Sequence, residues 1–474
     1  MSHTNRLTVR EIVDELTAVL GTDQHDVHTT VVVDGGDPVT PSPHRLADAM
    51  SAAIATFGLQ MASLAEAVGA PPQTVSVHAA EAIDQLRAAY LTSVSGVPIG
   101  VLVEDPRALG NNDFYRCADD RWIFLITTFA GLRDAVCGVL DVPPLPERIA
   151  AAARSWDAFA LEDAICSAGG VCAVVRSAEE WAAHPAGRHL IGRPVVEIER
   201  IGDGPPAPLP RGAGESLLEG IRIVDLTHVI AGPVSTKLLA EHGADVLHVT
   251  RPDLPDPVGM VASTGGGKRN AFADLRRPEH RAAVEELLGT ADVLVTGYRD
   301  MARFGLSAAA VAGSRPGTVV VDYHCWGADG PWADRGGFDQ LACSATGFAA
   351  EEGSEGVPSL PPTHLLNDYL AAYLGAAGTV AALRRRSMEG GSWRVRITLA
   401  SVCSWVRELG AVTGWTDLDM PGDPVIELTT QPTVFGTVTE PAVPFRMSPA
   451  GTPGHRPPTP LGSDTLRWMS SGSV

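Results

Sequence analysis

A chain of 474 residues exceeds what one hydrophobic core usually supports, so two domains are the expectation. A hydrophobic content of 45% with plentiful Gly (49) and Pro (36) fits close-packed Ala/Gly-rich helices and many turns, and excludes a disordered chain. The formal charge of −20 excludes nucleic acid or an anionic membrane as the main partner, while leaving room for an anionic small molecule held by a few local Arg and Lys.

No apolar run approaches the roughly 20 residues of a membrane span. The opening MSHTNRLTVREIVDEL lacks the apolar core of a signal peptide. Seven cysteines without a CxxC pair argue against a disulfide framework or a zinc site, so no metal is expected and a reducing, cytoplasmic setting is the simplest.

In chain order, residues 7–20 read as a short amphipathic helix and His28 to Val33 as a strand ending in the turn Asp34-Gly35-Gly36. The Pro-rich PVTPSP leads to a helix near 46–66. Asn112 to Thr127 reads as a hairpin turning at Asp119-Asp120. Helices follow near 129–140, 145–155 and 158–168, then a buried strand from Gly170 to Val175 and a helix from Ser177 to His184. The run GDGPPAPLPRGAGES, Gly202 to Ser216, is a linker by composition.

From Leu217 strands alternate with helices, which implies a mostly parallel sheet covered on both faces. Strands are expected at Ile221 to Leu226, Asp245 to Val249, Asp292 to Val295 and Thr318 to Tyr323, with helices at Pro233 to His242 and Glu279 to Leu288. The first strand-to-helix turn, LTHVIAGP, lacks GxGxxG, and TGGGKRN around Lys268 is not GxxxxGK[ST]. A nicotinamide site and a phosphate loop are both disfavoured.

Asp368 opens an Ala/Leu run whose apolar positions Leu370, Tyr373, Leu374, Ala377, Val380 and Leu383 recur at helical spacing. An amphipathic helix is expected, with the positive end of its dipole favouring an ionised Asp368. Arg384, Arg385 and Arg386 suit its other end, and Gly390-Gly391 turns the chain into a strand from Trp393 to Ile397. An N-cap role alone would also explain an aspartate there.

The helix near 46–66 repeats this unit. Pro41/Pro361, His44/His364, Leu46/Leu366, Asp48/Asp368, Ala52/Ala372, Gly58/Gly378 and Val75/Val395 are identical pairs at one offset of 320, which points to an internal duplication.

The run LLEGIRIVDLTHVIAGPVSTKLLAEHGADVLHVTRPD resembles the opening of the family III CoA transferases, the CaiB/BaiF family. GGGKRNAFADLRRPEHR, ADVLVTGYRDMARFGL, YHCWGADGPWADRGGFDQLACSATG and the Asp368 helix with its strand continue the likeness in order. The resemblance implies an α/β fold: a Rossmann-like, mostly parallel large domain with a smaller α+β domain. It implies transfer of coenzyme A between an acyl-CoA and a carboxylic acid, with Asp368 as the nucleophile that forms an aspartyl anhydride and then an aspartyl-CoA thioester. Val229, Ile230, Arg251, Ala273, Arg276, Gly297, Tyr298 and Arg303 match positions of the family's CoA pocket. Coenzyme A enters as substrate, and no tightly bound cofactor is implied.

Departures keep alternatives open. Phe338 stands where the family's racemases have a histidine, which argues against a racemase. A glycine-rich loop has no clear match. Another acyl-CoA reaction, of isomerase or dehydratase type, and a non-catalytic CoA-binding paralogue therefore remain beside the transferase. The resemblance implies a homodimer, interlocked in the family, and composition leaves open whether this chain closes those contacts within one subunit.

The organisation implied is 1–111 as a partial duplicate of the second half of the large domain, 112–201 as the small domain, 202–216 as linker and 217–474 as the large domain. Asp48, in a copy lacking the CoA-binding strands, is expected to be structural, and His44 and His364 to be surface or capping residues.

Overall fold

The computed structural model describes residues 7–22, 28–103, 110–209, 216–448 and 456–469. The central layer is a seven-stranded sheet. Its order is Arg269–Phe272, Asp245–Thr250, Arg222–Leu226, Val293–Thr296, Val319–His324, Ser392–Thr398 and Val196–Gly202. The first six run parallel, and taken in chain order from Arg222 they give the 3-2-1-4-5-6 order of a doubly wound sheet. Continuous apolar runs such as VLVT and VVVDYH are buried on both faces, as helices on each side of a parallel sheet require.

The seventh strand, Val196–Gly202, pairs antiparallel with Ser392–Thr398. Its outward Glu197 and Glu199 meet Arg396 at 2.9 and 3.2 Å. This charged edge strand belongs to the large sheet, so a small-domain boundary at 201 runs through it. Local pattern does not reveal which sheet such a strand joins.

The small α+β layer comprises the antiparallel strands Phe114–Arg116, Trp122–Leu125 and Cys172–Val174. Alternate residues face opposite ways. Ile123 and Leu125 pack beneath helices Ala130–Leu140, Pro146–Ala153 and Ala158–Ser167, while Phe124 and Ala173 pack with Trp181 against Trp326, Trp332 and Leu341 of the large layer.

Thr30–Asp34 and Thr74–His78 are parallel, and Phe445–Ser448 joins them antiparallel. The hairpin Leu428–Thr433/Gly436–Pro441 pairs with Ser93–Val94. Residues 428–448 thus lie with the first hundred residues and not with the large sheet. Neither this pairing nor the Val258–Thr264 helix is among the elements expected from local pattern.

Two long helices, Leu46–Ala67 and Asn367–Glu389, pack on each other at the centre. The amphipathic expectation for the second is corrected. Every residue from 367 to 384 is buried, because the first helix covers the side that a surface helix would give to water. The Ala and Gly content of both lets the backbones approach. Among the described residues no helix is long and apolar enough to cross a membrane.

Candidate active site

The matched CoA-pocket positions gather at the carboxyl ends of the parallel strands, around the point where strand order reverses between Arg222–Leu226 and Val293–Thr296. Open α/β sheets bind ligands there. Arg251, Ala273, Arg276, Tyr298 and Arg303 line one cleft of about 490 Å³, with Arg299 and Phe304. Gly297 and Tyr298 line an adjoining cavity of about 370 Å³. Tyr298, Arg299 and Leu254 border both.

The cleft arginines are oriented by aspartates. Arg251 Nε donates to Asp253 Oδ1 at 3.0 Å, and Arg276 Nη2 donates to Asp253 Oδ2 at 3.0 Å. Arg276 Nε also donates to Asp274 at 2.7 Å, a bond that draws the Asp274 carboxyl down to about 2. Two guanidinium groups on one carboxylate face the same space, an arrangement suited to phosphate. Arg303 pairs with Asp300 at 3.6 Å.

Val229 and Ile230 line neither space. Val229 is a β-branched residue at φ 68°, held there by a 3.0 Å bond from its N–H to Asp256 Oδ2. That conformation is strained and marks a turn fixed by its surroundings. Ile230 is 4% exposed and belongs to the core. The turn itself rests on Asp225, which accepts the Thr227 N–H at 3.0 Å and an ion pair from buried Lys268 at 3.2 Å. Lys268 is thus a structural cation under the turn.

Asp368 lines neither space and is 8% exposed. Its N–H donates to Asp339 Oδ2 at 2.9 Å, and the Leu366 N–H donates to the same oxygen at 3.0 Å. Asp339, from the helix Asp339–Thr346, therefore takes the orphan donors of the Asp368 helix that an N-cap side chain would otherwise take. No cation pairs with Asp368 among the described residues. Burial and then the Asp339 charge push the Asp368 carboxyl well up. The expected stabilised carboxylate is corrected: the amide donors at this helix end serve Asp339, and Asp368 meets a like charge.

The cavity leads toward this pair. His228 stacks on Tyr298 at 4.8 Å, Phe129 lies 6.2 Å from His228, and Phe338 stacks 6.2 Å from Phe129. This ring series runs from the arginine cleft to the residue before Asp339. Phe129, Leu132 and Val171 come from the small layer. Among the described residues the Tyr298 hydroxyl and His324 Nε2 are buried without a hydrogen-bond partner, and burial pulls His324 down to about 4, so the imidazole is neutral.

Asp339, Arg299, His228 and Phe129 are not among the site residues expected from the sequence. Arg299 was legible as the neighbour of Tyr298 in GYRD. Phe129 carries no local signal. His44 bonds Glu351 and Glu352 at 2.8 Å each, and exposed His364 lies 5.0 Å from the Tyr90 ring. Among the described residues no group of acidic, His and Cys side chains is placed to hold a metal.

Residues 218–424 match the model of CoA-transferase family III. This segment belongs to that family. An acetyl-coenzyme A transferase of Hypoxylon pulicicidum is 35% identical over 213 residues, 42% of this chain and 36% of its own. A succinyl-CoA–L-malate CoA-transferase alpha subunit of Chloroflexus aurantiacus is 31% identical over 207 residues, 39% of this chain and 48% of its own. The chain thus spans less than half the length of both relatives. A solved CaiB/BaiF family protein from Brucella suis is 23% identical, with a TM-score of 0.36 over 41% of this chain and 56% of that one. The family III segment carries Asp368, Asp339 and every arginine of the cleft.

Proposed function

We propose that the protein transfers coenzyme A between an acyl-CoA and a carboxylic acid. The observation that carries this is the continuity from the arginine cleft, through the Tyr298–His228–Phe129–Phe338 ring series, to Asp339 and the adjoining Asp368 amide. The arginines suit the nucleotide end of CoA, and the ring-lined cavity suits its uncharged arm.

In this reading ionised Asp368 attacks the thioester carbonyl carbon, the C–S bond breaks and CoA thiolate leaves. The thiolate then attacks Asp368 Cγ, releasing the donor acid and leaving an aspartyl-CoA thioester. The acceptor carboxylate attacks that Cγ, and the released thiolate attacks the acceptor's carbonyl in the new anhydride, restoring Asp368. Splitting one transfer into covalent steps lowers each barrier. Asp368 must first lose its proton, since burial and Asp339 favour the neutral acid.

That same neutral acid favours a second reading, in which Asp368 exchanges a proton with an acyl-CoA substrate. Incubation with acyl-CoAs and hydroxylamine followed by intact mass separates the two. A hydroxamate at Asp368, absent from Asp368→Ala, supports transfer. Solvent deuterium entering the acyl group without any hydroxamate supports proton exchange instead.

A further inference from the structure

The two long helices have matching surroundings down to single atoms. A Cβ on Gly58 would lie 2.6 Å from Val75 Cγ1 and 3.3 Å from Phe445. A Cβ on Gly378 would lie 2.6 Å from Val395 Cγ1 and 3.4 Å from Val196. Phe445 lies opposite Val77 and Met447 opposite Val75, just as Val196 lies opposite Ile397 and Ile198 opposite Val395. Val196–Gly202, between the two units in the chain, closes the sheet of the second, and Phe445–Ser448, after the second unit, closes the sheet of the first. Such reciprocity is the signature of two interlocked copies related by a two-fold axis.

We infer that residues 28–103 are a built-in partner: a duplicate of the Asp368 unit, disabled at its own aspartate, that completes a single active site within one chain. The inference rests on the role proposed for Asp368.

The disabling contact is specific. Asp37 Oδ2 accepts the Asp48 N–H at 2.9 Å, as Asp339 Oδ2 accepts that of Asp368. In the first unit, however, Arg45 Nε donates to Asp48 Oδ2 at 2.7 Å and the Asp37 N–H donates to Oδ1 at 3.1 Å. Leu365 stands at the position equivalent to Arg45. Arg45 and Asp48 are 2% and 3% exposed, so this ion pair occupies the Asp48 carboxylate inside the core. Among the described residues the three-stranded sheet around it has no counterpart of the strand ends that carry Arg251, Ala273 and Tyr298.

The interface between the units is a protein core. Phe57 meets Tyr373 edge-on at 6.2 Å, His44 stacks on Phe348 at 3.8 Å, and Arg384 reaches the Gly21 carbonyl and the Thr22 hydroxyl at 2.9 and 2.8 Å. Residues 28–103 supply Tyr90 to the site, and the small layer supplies the other wall. Tyr90 approaches His364 beside Asp368, and Phe129, Leu132 and Val171 face Phe338. No second chain is needed for either wall.

The test is sedimentation of the 474-residue chain over a dilution series, with binding of free coenzyme A measured at each concentration and hydroxamate trapping from acyl-CoAs run in parallel. The expected result is a 49.7 kDa species that binds one CoA per chain at every dilution. Asp48→Asn is expected to keep that stoichiometry and the hydroxamate at Asp368. CoA binding that falls as a dimer dissociates would overturn the inference, as would a hydroxamate on Asp48. One CoA per monomer with no hydroxamate anywhere would support the built-in partner and overturn the nucleophilic reading of Asp368.

Discussion

The Asp339 carboxylate accepts the backbone N–H of Asp368 at 2.9 Å, so the group that caps this helix also sets the charge on its first-turn acid. Burial raises both carboxyls, and Asp339 raises Asp368 further. A group held above its ordinary value is neutral at low pH and becomes a nucleophile only as pH rises through the raised value. Hydroxamate formation is therefore expected to increase with pH beyond the usual carboxylate range. Asp339→Asn keeps an oxygen for the N–H and removes the like charge, so its profile is expected to move to lower pH. A profile unmoved by this substitution would remove Asp339 from the account.

Arg251 and Arg276 share Asp253, which must yield if CoA phosphates are to take both guanidinium groups. Arg276→Ala is expected to weaken binding of coenzyme A about tenfold at low salt and by less at high salt, because the site is open to screening. Asp253→Asn removes the competing carboxylate and is expected to tighten binding. Equilibrium dialysis at two ionic strengths reads both changes, and unchanged affinity in Arg276→Ala would place the phosphates elsewhere.

His44 joins the two halves through Glu351 and Glu352. Burial disfavours its charge, yet the two glutamates more than offset this and raise it above 6.5. Its contribution to stability is thus complete below 6.5 and fades as pH rises through the folded value. Glu351 runs the other way: despite burial, His44 and Arg407 hold it at about 2, so its contribution fades as pH falls from 4.5 toward that value. Thermal melts across neutral to alkaline pH are expected to show a decline that His44→Gln flattens. An equal slope in the variant would dismiss the contact as a pH-dependent tie.

Gly378 has no room for a methyl group, with Val395 2.6 Å from the Cβ position. Gly378→Ala is expected to cost about 1–3 kcal/mol by overpacking, and Gly58→Ala against Val75 a similar amount. Gly138, inside the Ala130–Leu140 helix with nothing within 4 Å, is the counterpart. Gly138→Ala is expected to add about 0.5–1 kcal/mol through helix propensity alone. Denaturant midpoints distinguish the two, and a neutral Gly378→Ala would mean the helix slides to make room.

Most elements were legible in the sequence because they follow from local period and punctuation. The hairpin at Asp119-Asp120 and the strands from Arg222 to His324 are examples, and Arg251, Arg276 and Tyr298 of the matched motifs line one cleft. The 320-residue offset was legible too, since Gly58/Gly378 and Val75/Val395 are one packing contact written twice. Tertiary structure alone decided which sheet Val196–Gly202 and Phe445–Ser448 close, because a strand's free edge accepts any partner of matching twist, however distant in the chain. It also decided that the Asp368 carboxyl is raised and that Asp48 is paired with Arg45. Burial, the neighbouring Asp339 and the Arg45 ion pair are properties of surroundings assembled from remote segments, and no residue's immediate neighbours in sequence encode them.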